Sequence, residues 1–269
     1  MKAQDLRLCR SLLFLPASNP RAIEKAREVD ADMIFLDLED AVKPEDKAAA
    51  RAAAVEAVAQ GFGGRPVAVR LNSPKTKWYG DDVVALRHSE AHLFILPKVE
   101  TNREAHDANW LLGRPMLAMI ETALGVQNAA SIAPATIGLI AGTNDLAADL
   151  GVPPGAGRGG LSYALQATVL AARAAGVAVF DGVYNRLEDD EGFRRECEEG
   201  RAFGFDGKTL IHPSQIETCN RIFGPSEAEI AAARRLIEAA GGGAERFEGR
   251  MIEAMHVAQA EALLARARR

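Results

Sequence analysis

Residues 33–71 read MIFLDLEDAVKPEDKAAARAAAVEAVAQGFGGRPVAVRL. Two short apolar runs, 33–38 and 67–71, flank an Ala-rich stretch, 47–60, which is followed by Gly61. Because the runs lack polar alternation, they are typical of strands covered on both faces, whereas the Ala-rich stretch favours a helix that the glycine ends. The segment therefore predicts a strand, a helix and a second strand, which is the repeating unit of a parallel α/β fold.

The same alternation recurs along most of the chain. Further strands are predicted at 11–16, 92–96, 116–120, 136–141, 177–180 and 205–211, and further helices from Pro20 and Pro213 and at 81–87, 101–112, 126–132, 163–175 and 188–203. Eight such units within about 220 residues fit a closed barrel better than an open sheet, and no Gly-x-Gly-x-x-Gly follows the first strand to support a dinucleotide fold. We therefore predict an α/β protein in which residues 1–224 form a (β/α)₈ TIM barrel. The glycine-rich residues 155–160 are predicted to be a flexible surface loop.

Residues 225–269 form a separate C-terminal part in this interpretation. A helix is predicted at 226–240, three glycines follow at 241–243, and a last helical segment is predicted from about Arg250 to Arg268. The apolar positions of that segment are Met251, Ile252, Met255, Leu263 and Leu264, and they form a face that has to be buried. We predict a C-terminal helical extension that covers its own barrel as a lid or packs on a neighbouring subunit.

The composition excludes several classes of protein. The chain has 269 residues, 48% of them hydrophobic, which is enough for a large core, and its formal charge of −5 gives no basic footprint for a nucleic acid. No apolar run approaches the roughly 20 residues of a membrane helix, and no secretory signal pattern is present, so no membrane partner and a cytoplasmic location are predicted. Cys9, Cys197 and Cys219 are too scattered for a zinc knuckle or a disulfide framework.

The polar residues after the predicted strands are the active-site candidates, because the carboxyl ends of barrel strands carry the catalytic groups. They are Asp37, Glu39, Asp40, Arg70, Asn72, Lys98, Glu100, Glu121, Gly142, Thr143, Asn144 and Asp145. Carboxylates gathered at one rim repel each other, and a hard cation with oxygen ligands relieves that repulsion. Glu121 and Asp145 follow consecutive strands and are the best two ligands for Mg²⁺, which would take its other ligands from water and substrate.

Simpler structural roles remain open for several rim residues. Asp145 could cap the next helix, and Asp40 could pair with Lys43. Arg70 either pairs with Glu39 or clamps a substrate carboxylate bidentately, and we favour the clamp with the ion pair as its resting state.

Two further residues have competing interpretations. Lys98 could be a Schiff-base nucleophile or a counter-charge to the acidic rim, and we favour the counter-charge. His212 precedes a proline after the last predicted strand, and a hydrogen-bonded structural role is favoured over that of a base or ligand. The chain has no serine-hydrolase elbow and no zinc-protease motif.

Seven motifs in order suggest a known family. They are LFLP at 13–16, DLED at 37–40, VRLN at 69–72, LPKVE at 96–100, IET at 120–122, GTNDL at 142–146 and DGKTLIHP at 206–213. Together they resemble the citrate lyase beta-subunit-like group of the HpcH/HpaI aldolase superfamily, which includes malyl-CoA and citramalyl-CoA lyases. The match covers nearly the whole chain and implies the same barrel.

The resemblance implies a lyase that cleaves or forms a carbon–carbon bond between a 2-oxo acid and an acyl thioester. Glu121 and Asp145 would hold Mg²⁺, which the 2-oxo acid (oxaloacetate, glyoxylate or pyruvate) would chelate. Arg70 and backbone amides near Gly142 and Thr143 would hold the acid's carboxylate. The co-substrate would be an acyl-CoA.

Two cations lie where this family approaches the phosphates of coenzyme A. They are Arg10, just before the first predicted strand, and Lys25 on the first predicted helix. An ordinary surface charge is the favoured alternative for both.

The C-terminal segment completes the resemblance. In acyl-CoA lyases of this family an aspartate from a neighbouring subunit covers the active site, and RMIEAMH at 250–256 places Glu253 at that position. The predicted catalytic residues are thus Arg70, Glu39 and Glu253, and the predicted partners are further copies of the chain, as a trimer or hexamer, and other citrate lyase subunits. The alternatives are an accessory subunit that binds an oxo acid or acyl-CoA without turnover, and a Schiff-base aldolase using Lys98.

Overall fold

Eight parallel strands close into a barrel in the computed structural model, which describes residues 2–241 and 243–267. The strands are β1 Ser11–Pro16, β2 Met33–Asp37, β3 Val67–Arg70, β4 Leu93–Leu96, β5 Met116–Ile120, β6 Gly138–Ala141, β7 Ala178–Asp181 and β8 Gly207–Leu210. Each strand pairs with the next along the chain, and β8 pairs with β1. The predicted TIM barrel is confirmed.

Helices alternate with the strands and surround them. They are α1 Ala3–Leu6, α2 Pro20–Lys25, α3 Lys47–Gln60, α4 Tyr79–Leu86, α5 Asn102–Leu112, α6 Ala123–Ile132, α7 Thr143–Asp149, α8 Ser162–Ala175, α9 Asp190–Phe203 and α10 Ile216–Phe223. Local signals set their ends: the Asn19 side chain caps α2, whose first residue is a proline, and Gly113 ends α5 in the left-handed conformation. The helices α1 and α7 were not predicted, because helices of four and seven residues contain too few turns for a periodic pattern of apolar residues.

The direction of each side chain decides which residues reach the barrel interior. Leu12, Met33, Phe35 and Leu117 are among the residues that fill it, while the alternating residues pack outward against the helices. Successive side chains of a strand point to opposite faces, so Asp37 lies on the same face of β2 as Phe35. This parity brings Asp37 into the cavity at the carboxyl ends of the strands.

The C-terminal extension contains two helices, as predicted, and between them a hairpin that was not predicted. It consists of α11 Glu227–Ala239, an antiparallel hairpin of β9 Glu245–Phe247 and β10 Arg250–Ile252, and α12 Ala254–Arg266. The prediction of helix from Arg250 was wrong, because Glu248 and Gly249 both adopt positive φ and form a two-residue hairpin turn. Gly242 of the glycine hinge and Arg268 lie outside the described residues.

The far end of α12 is fixed to the amino-terminal end of its own barrel. Arg266 donates hydrogen bonds to the backbone carbonyls of Arg7, Asp206 and Phe223 at 2.7, 2.5 and 3.0 Å. Since Asp206 immediately precedes β8, this contact lies at the opposite end of the barrel from the carboxyl ends of the strands. Among the described residues, no helix is long and apolar enough to cross a bilayer.

Candidate active site

A cavity of about 410 Å³ opens at the carboxyl ends of the strands, and we refer to it as the mouth. One part of its wall is apolar and includes Phe14, Pro16, Met119, Val183 and Ile211. The other part is polar and includes Asp37, Asp40, Arg70, Glu121, Thr143 and Asp145. Charged groups and an apolar wall thus meet in one cavity, as in most small-molecule sites.

Arg70 is held from several sides inside the mouth. Its Nε and Nη2 donate to Asp37 Oδ1 and Oδ2 at 2.7 and 2.6 Å, its Nη1 lies 3.0 Å from Glu39 Oε2, and its guanidinium carbon lies 5.0 Å from the Phe14 ring centre. Burial alone would lower the pKa of Arg70, but the carboxylates of Asp37 and Glu39 raise it. Burial alone would raise the pKa of Asp37, but the Arg70 guanidinium lowers it. The predicted ion pair with Glu39 is confirmed, whereas the sequence analysis gave Asp37, the bidentate partner, no role.

Lys98 supplies the second positive charge. Its Nζ lies 2.8 Å from Glu39 Oε1, 3.3 Å from Asp145 Oδ2 and 3.7 Å from Asp40 Oδ2. Burial would lower the pKa of Lys98, but these carboxylates raise it, so the amine is held protonated. The counter-charge role is confirmed, and the same ion pairs stabilise the protonated amine over the neutral form that a Schiff-base nucleophile needs.

The structure settles the simpler alternative for Asp145. Gly142 occupies the N-cap position of α7, and Asp145 lies in the first turn of that helix. The suggestion that Asp145 is a helix cap was therefore wrong, and its carboxylate faces the mouth instead.

Glu121 is as deeply buried as Asp37, with 1% of its surface exposed. Its Oε1 accepts a hydrogen bond from the backbone amide of Lys98 at 2.6 Å, and its side chain packs against Gly142, where a Cβ atom would overlap with it. Burial and the neighbouring Glu39 carboxylate raise the pKa of Glu121 to about 8, although Arg70 partly offsets them. The carboxylate of Glu121 therefore lacks a sufficient positive charge in its surroundings.

These charged residues form one group, which we call the mouth cluster. Its members are the carboxylates of Asp37, Glu39, Asp40, Glu121 and Asp145 and the cations Arg70 and Lys98. Glu39 Oε2 is buried without a hydrogen-bond partner, and burial raises the pKa of Glu39 despite the nearby cations. Within residues 2–241 and 243–267, no three His, Cys, Asp or Glu side chains are arranged to hold a metal. Glu121 and Asp145 could hold an ion that takes its remaining ligands from water and substrate.

The backbone after β6 offers fewer free donors than expected. The amide of Gly142 donates to the Ile120 carbonyl at 3.1 Å, so this amide is already occupied. Binding of a substrate carboxylate by the other amides near Gly142 and Thr143 stays a prediction. Thr143 begins α7, and the first amides of a helix have no partner within the helix. Gly182 contributes by its missing side chain, since a Cβ there would overlap with Thr143.

The two cations assigned to coenzyme A lie in different places. Arg10 precedes β1 at the amino-terminal end of the barrel, about 16 Å along the strand from the mouth. Its Nε and Nη2 each donate to Asp32 at 2.9 Å, so Arg10 was wrongly assigned. Lys25 is exposed at the last residue of α2, and its role stays a prediction.

Glu253 does not line the mouth of its own barrel. It is exposed at the N-cap position of α12, and its backbone amide donates to His256 Nδ1 at 3.0 Å. Met251 and Met255 beside it are 61% and 56% exposed. Glu253 therefore takes no part in the mouth of its own barrel in this structure, and its catalytic role stays a prediction.

Two family models match this chain. The family model described as HpcH/HpaI aldolase/citrate lyase matches residues 10–213, and a model described as C-C bond lyase of the TIM-barrel fold matches residues 161–269. The two matches together span the barrel and the C-terminal extension.

Individual relatives carry different activities in their names. The chain is 43% identical over 268 residues to a (3S)-malyl-CoA thioesterase of Cereibacter sphaeroides, which covers 96% of this chain and 94% of the relative. It is 37% identical to the citrate lyase subunit beta of Leuconostoc mesenteroides subsp. cremoris, covering 96% and 93% of the two chains. The crystal structure of CitE from Mycobacterium tuberculosis in complex with magnesium, acetoacetate and coenzyme A superposes with a TM-score of 0.85 at 35% identity, covering 98% of this chain and 100% of that one.

Proposed function

The chain belongs to the HpcH/HpaI aldolase/citrate lyase family of carbon–carbon lyases, and we propose that it is a Mg²⁺-dependent enzyme of that type. Its substrate is a 3-hydroxyacyl thioester of the citryl, malyl or citramalyl type. Its products are a 2-oxo acid (oxaloacetate, glyoxylate or pyruvate) and an acyl thioester, with acyl-CoA as the carrier form.

The excess of negative charge in the mouth cluster is the observation that carries this proposal. Five carboxylates face Arg70 and Lys98, with the buried Lys47 as a third cation near Asp37, Glu39 and Asp40, so negative charge remains in excess. Glu39 Oε2 is ion-paired with Arg70 but has no hydrogen bond, and the pKa of Glu121 is raised to about 8. Oxygen donors with a deficit of positive charge fit a hard divalent cation. Glu121 and Asp145 are the residues that would hold Mg²⁺, as the complex of the M. tuberculosis relative with magnesium supports.

Each part of the mouth has a distinct task in carbon–carbon cleavage. Bound Mg²⁺ supplies Lewis-acid stabilisation of negative charge on a substrate oxygen. Arg70 binds the carboxylate that becomes part of the 2-oxo acid, through the guanidinium edge that faces Glu39. Phe14 and Met119 form an apolar wall beside that carboxylate, which excludes water and strengthens the charged contacts. In this arrangement an acid–base group takes the proton of the 3-hydroxyl group, and the carbon–carbon bond breaks with its electron pair leaving in the thioester enolate. Protonation of the enolate carbon then gives the acyl thioester.

Hydrolysis of the thioester is the second candidate function. The named (3S)-malyl-CoA thioesterase shares 43% of its residues with this chain, more than the citrate lyase subunit at 37%. In that case water attacks the thioester carbonyl, and free coenzyme A leaves as the thiol.

Product analysis distinguishes the candidate functions. The full-length protein is incubated with Mg²⁺ and malyl-CoA, citramalyl-CoA or citryl-CoA, and 2-oxo acid, acetyl-CoA and free thiol are quantified separately. A lyase releases 2-oxo acid and acetyl-CoA in equal amounts without free thiol, whereas a thioesterase releases free thiol and hydroxy acid. Binding of a thioester without any product would instead indicate an accessory subunit that acts with other citrate lyase subunits. Product formation in EDTA would contradict the metal assignment.

We further propose that the extension of residues 225–269 brings Glu253 to the mouth of a neighbouring subunit in a trimer or hexamer, where it acts as the acid–base group. Arg266 fixes α12 to its own barrel, and the exposed Met251 and Met255 flank Glu253 with apolar surface that a second copy would cover. Lys25 is proposed to contact the phosphates of coenzyme A.

Mixing two inactive variants tests the role of Glu253. Glu253→Gln leaves the mouth intact, and Glu121→Ala leaves the extension intact. If Glu253 acts between subunits, assemblies formed by refolding or exchanging the two variants together regain part of the wild-type turnover. An inactive mixture of assemblies that have demonstrably exchanged subunits would contradict the proposal.

A further inference from the structure

Asp37 is a buried carboxylate to which the proposed function gives no role. Only 1% of its surface is exposed, and Arg70 donates to both of its oxygens, at 2.7 and 2.6 Å. The backbone amides of Glu39 and Ala41 donate to the same two oxygens at 2.9 and 3.1 Å. A carboxylate has about four acceptor positions, so these four bonds use the capacity of Asp37 and leave none for a ligand.

The contacts of Arg70 leave one edge of its guanidinium for a ligand. Nε and one Nη2 hydrogen are directed at Asp37, and the Phe14 ring covers one face of the plane at 5.0 Å. The remaining edge carries Nη1, which lies 3.0 Å from Glu39 Oε2 and 3.6 Å from Met119 Sδ. Because a guanidinium is a rigid plane, fixing one edge also fixes the direction of the other.

We infer that Asp37 is a positioning residue for the guanidinium of Arg70. This inference rests on the proposed role of Arg70 in binding the carboxylate of a 2-oxo acid. Asp37 holds Arg70 with the Nη1 edge toward the mouth. In the resting site Glu39 contacts only Nη1 of Arg70, at 3.0 Å. Without Asp37, Arg70 would turn its freed Nε and Nη2 donors to Glu39 as well, and the substrate carboxylate would displace Glu39 less readily. The influence of Asp37 on the ligand therefore passes through Arg70.

Asp181 is a matched control for Asp37. It ends β7 as Asp37 ends β2, its exposed surface is 0%, and it also holds an arginine by two bonds, from Arg158 Nη2 and Nη1 at 2.8 and 3.0 Å. Its side chain does not line the mouth. Substitution of either aspartate by asparagine therefore removes a buried arginine fork, but only one of the two forks faces the ligand.

A double-mutant cycle on ligand binding tests the inference. Pyruvate binding to the full-length protein with Mg²⁺ is measured by calorimetry for wild type, Asp37→Asn, Arg70→Met, the double variant and Asp181→Asn. We expect Asp37→Asn to weaken binding about tenfold or more, and Arg70→Met to weaken it further. The double variant should match Arg70→Met within about twofold, because a residue that acts through Arg70 has no effect once Arg70 is gone. Asp181→Asn should lower the unfolding midpoint and leave pyruvate affinity unchanged.

The outcomes separate the inference from the proposed function. Unchanged binding in Arg70→Met, or no binding by wild type, would overturn the proposed role of Arg70. A loss in Arg70→Met with no loss in Asp37→Asn, or additive losses in the double variant, would overturn the positioning role alone. If Asp37→Asn fails to fold, Asp37→Ser, which also lacks the carboxylate, takes its place in the cycle, and pyruvate affinity equal to wild type there would count against the inference.

A spectroscopic measurement follows the guanidinium itself and needs no ligand. In arginine-labelled protein, the Nε–H signal of Arg70, assigned by its absence in Arg70→Met, should be protected from solvent exchange in wild type and Asp181→Asn. The Nε–H signal should lose that protection in Asp37→Asn. Retained protection would overturn the inference.

Discussion

The mouth cluster and a second buried cluster behind β7 and β8 differ in how their charges are balanced. The second, which we call the back cluster, consists of Arg158, Asp181, Glu196 and Lys208. Lys208 Nζ lies 2.9 Å from Asp181 and 2.7 Å from Glu196, and Arg158 holds Asp181 at 2.8 Å. Two cations thus meet two closely held carboxylates, with the half-buried Glu199 3.4 Å from Arg158 Nε at the edge of the cluster, whereas five carboxylates gather in the mouth cluster.

The pKa directions follow this difference. Burial alone would raise the pKa of Asp181, but Lys208 and Arg158 lower it, so its charge is stabilised by the fold. In the mouth, burial and Glu39 raise the pKa of Glu121 to about 8. A balanced buried cluster is complete without a ligand, and an unbalanced one is left for a positively charged ligand to complete. We therefore expect variants of the two clusters to affect different measurements.

The largest effect is expected for Glu121→Ala and Asp145→Ala. Each should lower turnover by about 10³-fold or more, because metal stabilisation of substrate charge contributes several kcal/mol, and EDTA treatment of wild type should have the same effect. The unfolding midpoint should stay within a few degrees of wild type, since removal of one carboxylate relieves repulsion. Product release and thermal unfolding check both statements, and near-wild-type turnover would remove the residue from the metal site.

Lys208→Met should lower the stability of the fold and leave substrate binding unchanged. Removing the fully buried ammonium leaves Asp181 and Glu196 with Arg158 alone, and breaking such a pair costs about 3–5 kcal/mol of unfolding free energy. The KM for the substrate should not change, because Lys208 does not line the mouth. Denaturant unfolding measures the loss, with Arg103→Met, an exposed cation, as the control expected within about 0.5 kcal/mol of wild type. A loss as small as that of the control would show that the back cluster is not stabilising.

The same arginine-to-lysine substitution in each cluster should affect the KM for the 2-oxo acid in the mouth cluster only. An ammonium cannot hold Asp37 by two parallel bonds and also bind a ligand carboxylate, so the KM for the 2-oxo acid should rise about 10- to 100-fold. Arg158→Lys makes the same chemical change in the back cluster and should leave that KM unchanged. Steady-state kinetics in the condensation direction provides the measurement, and equal effects of the two substitutions would contradict the distinction.

The smallest effect is expected in the acid dependence of stability. Because the pKa of Asp181 is lowered in the folded state, its contribution is fully present above the unfolded value of about 4 and is lost as the pH falls through the folded value. Asp181→Asn should thus reduce the slope of unfolding free energy against pH below pH about 4 by up to about 1.4 kcal/mol per pH unit. Unfolding at pH 2–5 tests this, and parallel curves for wild type and variant would contradict it.

Much of the fold and part of the site could be predicted from the sequence. The strands β2 and β5 carry uninterrupted apolar runs, and the glycines after α5 and α8 end those helices, so local signals were sufficient. Glu121 and Asp145 were predicted to meet, and the structure brings both into the mouth. The hairpin β9–β10 was missed, because three-residue strands leave hardly any alternation to detect.

Several side-chain partners that lie far apart in sequence could not be predicted. Asp37 and Arg70 are 33 positions apart, and only the register that pairs them on β2 and β3 brings their side chains together. Arg158 lies in a glycine-rich segment that was predicted to be a flexible loop, yet its side chain is fixed to Asp181. Arg10 was wrongly assigned because its position before β1 places it at the other end of the barrel.

The sequence by itself determined the barrel, the family and the acidic character of the strand ends, because short-range patterns of apolar residues, glycines and motifs encode them. Only the tertiary structure decided which acidic residues are neutralised. Asp37 and Asp181 both end a strand, but side-chain alternation directs Asp37 inward, beside Arg70 in the mouth, and Asp181 outward, beside Lys208 behind the sheet. The physical reason is that a charge is set by what surrounds it at a few ångströms, and those surroundings come from strands far apart in sequence.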